Sequence, residues 1–251
     1  MKIRGCRGSI KLNESKRYRL TEAEKTIFRE SRDTMECIFC DGLGVTLKKV
    51  ADSSRPRICP ECSGSGIIKK EPLKVQYLGS DGSWREVANA ARTTIDMEEG
   101  EGEPSSDWKK SILLAEHSPI RKMSLNWKWE NLKYWISTHF VRHKVGIEHF
   151  VSSQREDREH TEKDRNKKLQ SALVTHECNA NFQAIINVSR KRLCEKSHDE
   201  TREAWQLFLE RVVKPLEPEL YEVCVRECVY RGGCPEMDPC GFKEVLEYDE
   251  R

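Results

Sequence analysis

The stretch Phe140-Val141-Arg142-His143-Lys144-Val145-Gly146-Ile147-Glu148-His149-Phe150-Val151-Ser152 decides how the rest of the chain is read. Its core is Arg-His-Lys, then seven residues, then Ser. Arg142 offers a rigid fork of donors, Lys144 a mobile point charge, and His143 a titratable donor or acceptor. That trio suits a phosphate or another anion, and the Ser152 hydroxyl could close the far side of the same pocket. The plainer reading is a solvated basic helix end, where cations suit the helix dipole. Only the flanking sequence separates the two.

Upstream, Asn131 is positioned to cap a helix through Tyr134, Trp135, Ile136 and Phe140, which delivers the motif. Before it, residues 124–130 place Leu125, Trp127 and Trp129 on one side, the period of a strand. Residues 73–78 alternate in the same way and end in the turn Gly79-Ser80-Asp81-Gly82. Residues 84–91 read as a short helix with Trp84, Val87, Ala88 and Ala91 on one face. Residues 97–106 are acidic with Gly and Pro and read as a loop. Ser106 or Asp107 then caps a helix carrying Ile112, Leu113 and Leu114, which ends at Glu116-His117-Ser118-Pro119.

Downstream, residues 154–170 are densely charged, which fits a solvated helix or a loop. Residues 171–213 read as helical, with Phe182, Ile185, Ile186 and Ser189 at three- and four-residue spacing. Ala204, Leu207, Phe208 and Arg211 mark a second helix, broken by Pro215 and Pro218. A last helix is expected over residues 219–230. The mixture predicts an α/β (α+β) domain.

The chain has 251 residues, enough for one large domain and a small one. Its 37% hydrophobic and 34% charged residues suit a soluble globular protein. No apolar run approaches a membrane span and no signal peptide opens the sequence, so a cytoplasmic protein without a membrane partner is expected. Residues 1–73 carry 16 Lys+Arg against 10 Asp+Glu, whereas residues 74–251 carry 28 against 32. The basic leading part, with a helix expected over residues 21–31, could approach nucleic acid.

Eleven Cys in such a chain point to metal rather than disulfides. Cys37-Ile38-Phe39-Cys40-Asp41-Gly42-Leu43-Gly44 recurs as Cys59-Pro60-Glu61-Cys62-Ser63-Gly64-Ser65-Gly66. Two thiolates two residues apart can hold one metal from a tight knuckle, and the glycines let backbone N–H groups face the sulfurs. Cys37, Cys40, Cys59 and Cys62 together make a closed tetrahedral set suited to structural zinc. The repeat resembles half of the zinc-binding domain of DnaJ-type chaperones. The expected layout is a basic segment at 1–32, a zinc module at 33–72 and a main domain at 73–251. Near the end, Cys224, Cys228, Cys234 and Cys240 either enclose a second metal or stay as reduced thiols.

The order of features resembles the flavin-dependent thymidylate synthases, the ThyX family. The family's signature is Arg-His-Arg, seven residues, Ser, against Arg142-His143-Lys144 and Ser152 here. Val87-Ala88-Asn89-Ala90-Ala91-Arg92-Thr93 resembles its early Ala-Ala-Arg segment. Leu114-Ala115-Glu116-His117-Ser118-Pro119 resembles its His-x-Ser/Thr-Pro turn. Asn181, Asn187 and Arg192 fall at the spacings of its late helix. These matches span residues 73–230.

The resemblance implies a ThyX-like homotetramer with active sites shared between subunits. Reduced FAD would carry a one-carbon unit from methylene-tetrahydrofolate to dUMP, with NADPH as reductant. It implies catalytic roles for Arg142, His143, Lys144 and Ser152. It implies FAD contacts from Ser118, Arg142, His143, Asn181 and Asn187, and nucleotide contacts from Lys144, Ser152, Arg155 and Arg192. The chain departs from the family pattern where Lys144 replaces Arg and where His149-Phe150 replaces an Asn-Glu pair. It departs again at Gln154-Arg155, at His139 for a Gln, and at Gln183 for a flavin-phosphate Arg. Those departures leave room for a different pyrimidine nucleotide, or for a zinc-stabilised nucleic-acid or partner-binding protein on a degenerate scaffold.

Overall fold

The computed structural model describes residues 72–155, 166 and 168–242, together with the backbone of four short strands nearer the N-terminus. The helix expected at 21–31, Cys37, Cys40, Cys59 and Cys62, and most of the charged run 154–170 lie outside the described residues. The chain divides into two units, Met1–Pro72 and Leu73–Arg251.

In the first unit, β1 (Thr34–Glu36) pairs antiparallel with β4 (Ile67–Lys69). β2 (Val45–Leu47) pairs antiparallel with β3 (Pro56–Ile58).

The second unit is built on one antiparallel sheet in the order β5-β6-β8-β7. Its strands are β5 (Lys74–Asp81), β6 (Ser124–Lys133), β7 (Ile147–Val151) and β8 (Leu173–Asn181). β6 keeps the expected alternation: Leu125, Trp127 and Trp129 are buried and their neighbours less so. β8 was expected as helix, and the structure makes it a central strand instead. Val174, His176, Cys178 and Ala180 all point inward, a period of two. Two of those four are polar or sulfur-bearing, which hides the apolar signal.

The helices are α1 (Trp84–Thr93), α2 (Ser106–Leu114), α3 (Tyr134–Phe140), α4 (Phe182–Arg192), α5 (Asp199–Phe208), α6 (Pro218–Val223) and α7 (Glu227–Arg231). Ser105 rather than Ser106 or Asp107 caps α2, its side chain accepting from Trp108 N. Asn131 does not cap α3. It lies within β6 at φ +61°, where the register shifts between Trp129 and Leu132, and Lys133 precedes the helix. This is the geometry of a bulge, and Asn tolerates the left-handed conformation better than most residues.

After α5 the chain runs through a π turn, Leu209–Val213, and one more turn at Lys214–Leu216, so Pro215 does not stop it. Pro218 opens α6 at a helix start, where a missing N–H costs nothing. The single last helix expected at 219–230 is two short ones separated at Cys224. Cys224 and Cys228 therefore do not share one helix face.

An aromatic cluster joins sheet to helices. Trp127 stacks on Phe208 at 3.9 Å between ring centroids, and Trp129 on Phe140 at 4.8 Å. Trp129 Nε1 donates to Ala204 O at 3.1 Å, and Trp205 Nε1 to Ser189 Oγ at 2.9 Å. These bonds satisfy buried polar atoms that the rings carry into the core. Among the described residues no helix is long and apolar enough to cross a membrane.

Candidate active site

Three segments meet at a cleft of about 420 Å³. The turn after α2 brings Glu116 and Arg121, the link between α3 and β7 brings Val145 and Gly146, and the start of α4 brings Asn181, Gln183 and Asn187. The volume lies within the range of small-molecule sites.

Asn181 is the hinge of this arrangement. Its side chain accepts from Ala184 N at 2.9 Å and so caps α4. Its backbone N–H donates to Gly146 O at 2.9 Å. Gly146 has φ +72°, and a Cβ there would stand 2.6 Å from Asn181 Nδ2. Asn187 lies one turn on from Gln183 and is exposed, accepting from Gln183 Nε2 at 3.3 Å.

One wall carries a charge pair. Arg190 donates to both carboxylate oxygens of Glu116, at 3.2 Å to Oε2, and stacks on the Tyr230 ring at 3.5 Å. Gln183 Nε2 donates to Glu116 Oε2 at 2.5 Å. Burial works against the Glu116 carboxylate, but hydrogen bonds from Arg190, Tyr230 and Gln183 outweigh it and hold its pKa below the usual range. Glu116 is therefore a compensated anion at working pH. The exposed guanidinium of Arg121 and the positive end of α4 favour a ligand with negative charge.

The Arg-His-Lys motif follows α3. Arg142 and Lys144 are exposed, whereas His143 is partly buried. Arg192 Nε donates to His143 Nε2 at 2.9 Å, and Arg192 Nη2 to His139 O at 2.5 Å. Burial, then the Arg192 charge, lowers the His143 pKa to about 4. His143 is thus neutral at working pH, and its Nε2 can accept from Arg192 only if the ring proton sits on Nδ1.

Behind the motif runs a buried polar chain. His149 Nε2 donates to His143 O at 2.8 Å, which leaves His149 Nδ1 as an acceptor for His176 Nε2–H at 3.0 Å. Cys178 Sγ lies 3.3 Å from the same Nδ1. Ligand atoms of His149, His176 and Cys178 fall within 4.8 Å of one another. We read the trio as hydrogen-bonded rather than metal-bound. Every short distance is already a normal hydrogen bond, Trp129 and Phe140 pack against His176, and burial raises the Cys178 thiol pKa well above its ordinary value. The chain fixes where His143 sits.

These histidines give a pH signature. Burial, followed by the neighbouring His149, lowers the His176 pKa to about 3, and His143 falls to about 4. The unfolded chain titrates its histidines near 6.5, so between that value and about 3 it binds more protons than the folded chain. Stability is therefore full above about pH 7 and declines as pH falls, by on the order of a few kcal/mol at the lower end. Denaturant midpoints followed by tryptophan fluorescence should drop steadily from about pH 7 to about pH 5. His176→Phe should flatten the decline, and an equally steep curve in that variant would contradict the assignment.

The sequence-predicted residues are spread over several places. Asn181 and Asn187 line the cleft, and Arg142, His143 and Lys144 immediately precede its Val145-Gly146 wall. Ser118 lies in the 3-10 turn Ser118–Lys122, between Glu116 and Arg121 but not in the lining. Ser152 and Arg155 lie beyond the other end of β7. Five strand residues separate them from the motif, about 17 Å of chain. Ser152 is tied to β8 there, its Oγ accepting from Thr175 N at 3.0 Å. Arg192, expected on a phosphate, directs Nε and Nη2 to the His143 ring and to His139 O. Glu116, Arg121 and Arg190 were missed. The 3-10 turn after Ser118-Pro119 was the available signal for Arg121, and nothing local marks the Glu116–Arg190 pair.

The second unit is a one-sheet α/β body with a polar cleft of small-molecule size. No family model matches the chain, and no curated protein matches its sequence. A solved structure of flavin-dependent thymidylate synthase ThyX from Helicobacter pylori, complexed with FAD and dUMP, matches with a TM-score of 0.51 at 13% identity. The match covers 61% of this chain and 100% of that one. A second structure of the Helicobacter pylori enzyme with FAD and dUMP gives 0.49 at 15% identity, covering 61% of this chain and 99% of that one. The UMP/dUMP methylase PolB from Streptomyces cacaoi, bound with 5-Br dUMP, gives 0.48 at 12%, covering 61% and 95%. The first of these matches shows that the chain has a ThyX-like fold.

Proposed function

We propose that the chain is a flavin-dependent enzyme that transfers a one-carbon unit from methylene-tetrahydrofolate to dUMP, using reduced FAD with NADPH as the reductant. The observation that carries this reading is the cleft itself. In a ThyX-like fold it gathers Asn181 and Asn187 against the backbone that follows Arg142-His143-Lys144. Two carboxamides, a guanidinium and a helix start are a donor set that suits the polar ring edge and phosphates of a flavin nucleotide.

When bound, the flavin supplies redox and one-carbon carrying capacity that side chains lack. The chain's own residues bind and polarise. Arg142 and Lys144 offer cationic donors where negative charge develops, and neutral His143, held by Arg192, offers a fixed ring without adding charge. No protein nucleophile is required. Lys144 and Ser152 flank opposite ends of β7. The homotetramer with sites shared between subunits belongs to the same proposal. The zinc module of Cys37, Cys40, Cys59 and Cys62 belongs to the same proposal as a structural addition.

A second reading keeps the fold and changes the nucleotide. Phe150, 59% exposed on the outer sheet face, stands where the family carries a carboxylate, and Glu177 lies directly across from it on β8. Labelled methylene transfer to dUMP and to dCMP, run side by side, separates the two. Product from dUMP supports the first reading, and product from dCMP alone supports the second. A flavin-loaded chain that labels neither overturns both.

A further inference from the structure

Four thiols from separate parts of the second unit surround one small cavity. Cys194 follows the end of α4, Cys228 lies in α7, and Cys234 and Cys240 lie on the segment after it. All four are free thiols. The space they line is about 10 Å³, room for a single small guest. We propose that Cys194, Cys228, Cys234 and Cys240 form a four-thiolate zinc site that staples the C-terminal segment to the end of α4.

The segment itself needs such a staple. From Gly232 to Gly241 it has neither helix nor strand and is largely exposed. Gly232, at φ +70°, ends α7 in the left-handed conformation, and Gly233 N donates back to Cys228 O at 3.0 Å. This turn carries Cys234 back toward Cys228. Beyond it, the segment is anchored by a Lys196–Asp238 pair at 2.5 Å and by Arg226 stacked on Phe242 at 3.9 Å. Exposed ion pairs contribute little. A loop without a core is what a structural metal holds in small folds.

Arg226 gives the independent sign. It lines the cavity, and its Nη1 is buried with no hydrogen-bond partner, while Nη2 pairs with Glu195 at 2.6 Å. A buried cationic donor left unpaired is costly. Four thiolates around a divalent ion leave two negative charges, which such a donor can satisfy. No three of the four sulfurs stand within 4.8 Å of one another, as the atoms of His149, His176 and Cys178 do. Closing the site therefore requires the loop bearing Cys234 and Cys240 to draw inward, and no ladder or helix opposes that. Each thiol loses its proton to solvent as the zinc–sulfur bond forms.

Cys224, one spacing earlier in the sequence, is not part of the set. It is 7% exposed, belongs to the hydrophobic core and has its thiol pushed up to about 12 by burial. The tail grouping read from sequence thus loses Cys224 and gains Cys194, which lies 30 residues before it in the chain.

The test uses the full chain with Cys37, Cys40, Cys59 and Cys62 all replaced by Ser, titrated with Co²⁺. We expect the absorption bands of tetrahedral thiolate cobalt, saturating at one ion per chain and displaced by one equivalent of Zn²⁺. Cys234→Ser with Cys240→Ser should abolish the bands, and Cys224→Ser should leave them. Absent bands, or bands indifferent to the tail pair, overturn the site. Should the knuckle-free chain not fold, zinc per chain is counted with the knuckles intact. Cys228→Ser should then lower the count by one ion, and an unchanged count overturns the proposal. The outcome does not depend on flavin or nucleotide binding.

Discussion

Arg192→Ala should lower turnover by about 100-fold or more, the cost expected when a group near the chemistry is displaced by about 1 Å. Arg192 ties the end of α4 to His139 O and to the His143 ring. Without it, His143 loses the donor that fixes its orientation, and the Arg142-His143-Lys144 turn loses a brace. Its guanidinium pKa is already lowered by burial and by the Arg142 charge, so the positive charge is held there at some cost in stability. Arg192→Lys keeps a charge but cannot reach both acceptors with a planar fork, so most of the loss should persist. A direct phosphate role and a positioning role separate in the kinetics. Loss in kcat with little change in KM marks positioning, whereas a raised KM at constant kcat marks ground-state nucleotide binding. Unchanged kinetics in Arg192→Ala would remove it from the site.

Gly146→Val should abolish flavin binding while leaving the sheet folded. The residue sits at φ +72°, a conformation costly for any β-branched side chain, and its new Cβ would collide with the Asn181 amide. The backbone strain costs on the order of 1–3 kcal/mol. Displacing Asn181 adds the loss of the α4 cap, about 1 kcal/mol. The comparison with Asn187→Ala is informative, because Asn187 is exposed and caps nothing. That variant should bind flavin less tightly with stability unchanged to within about 0.5 kcal/mol. Gly146→Val protein that binds flavin as the wild type does would show that the cleft is not the flavin site.

The fold was partly legible because its inner strand and several helices carry large apolar side chains at regular spacing. Leu125, Trp127 and Trp129 announce β6, and Trp84, Val87 and Ala88 announce α1. β8 was misread because His176 and Cys178 occupy inward positions, so the strong helical spacing of Phe182, Ile185 and Ile186 extended backward over it. β7 escaped because its inward set is Ile147, His149 and Val151, with a polar ring in the middle. The same polar residues form the hydrogen-bonded chain that holds His143, so the apolar pattern fails where the buried polar path runs. The site was legible where chemistry sits in one motif, as at Arg142-His143-Lys144. It was hidden where it depends on contacts across 74 residues, as between Glu116 and Arg190.

The central claim is that this ThyX-like fold holds a flavin in the cleft beside Gly146 and Asn181. The most direct measurement is the visible absorbance spectrum of the purified chain, before and after addition of FAD and removal of unbound flavin. The purified chain should be yellow and retain flavin after removal, with weaker retention in Asn187→Ala and none in Gly146→Val. A colourless protein that retains no added FAD would contradict it.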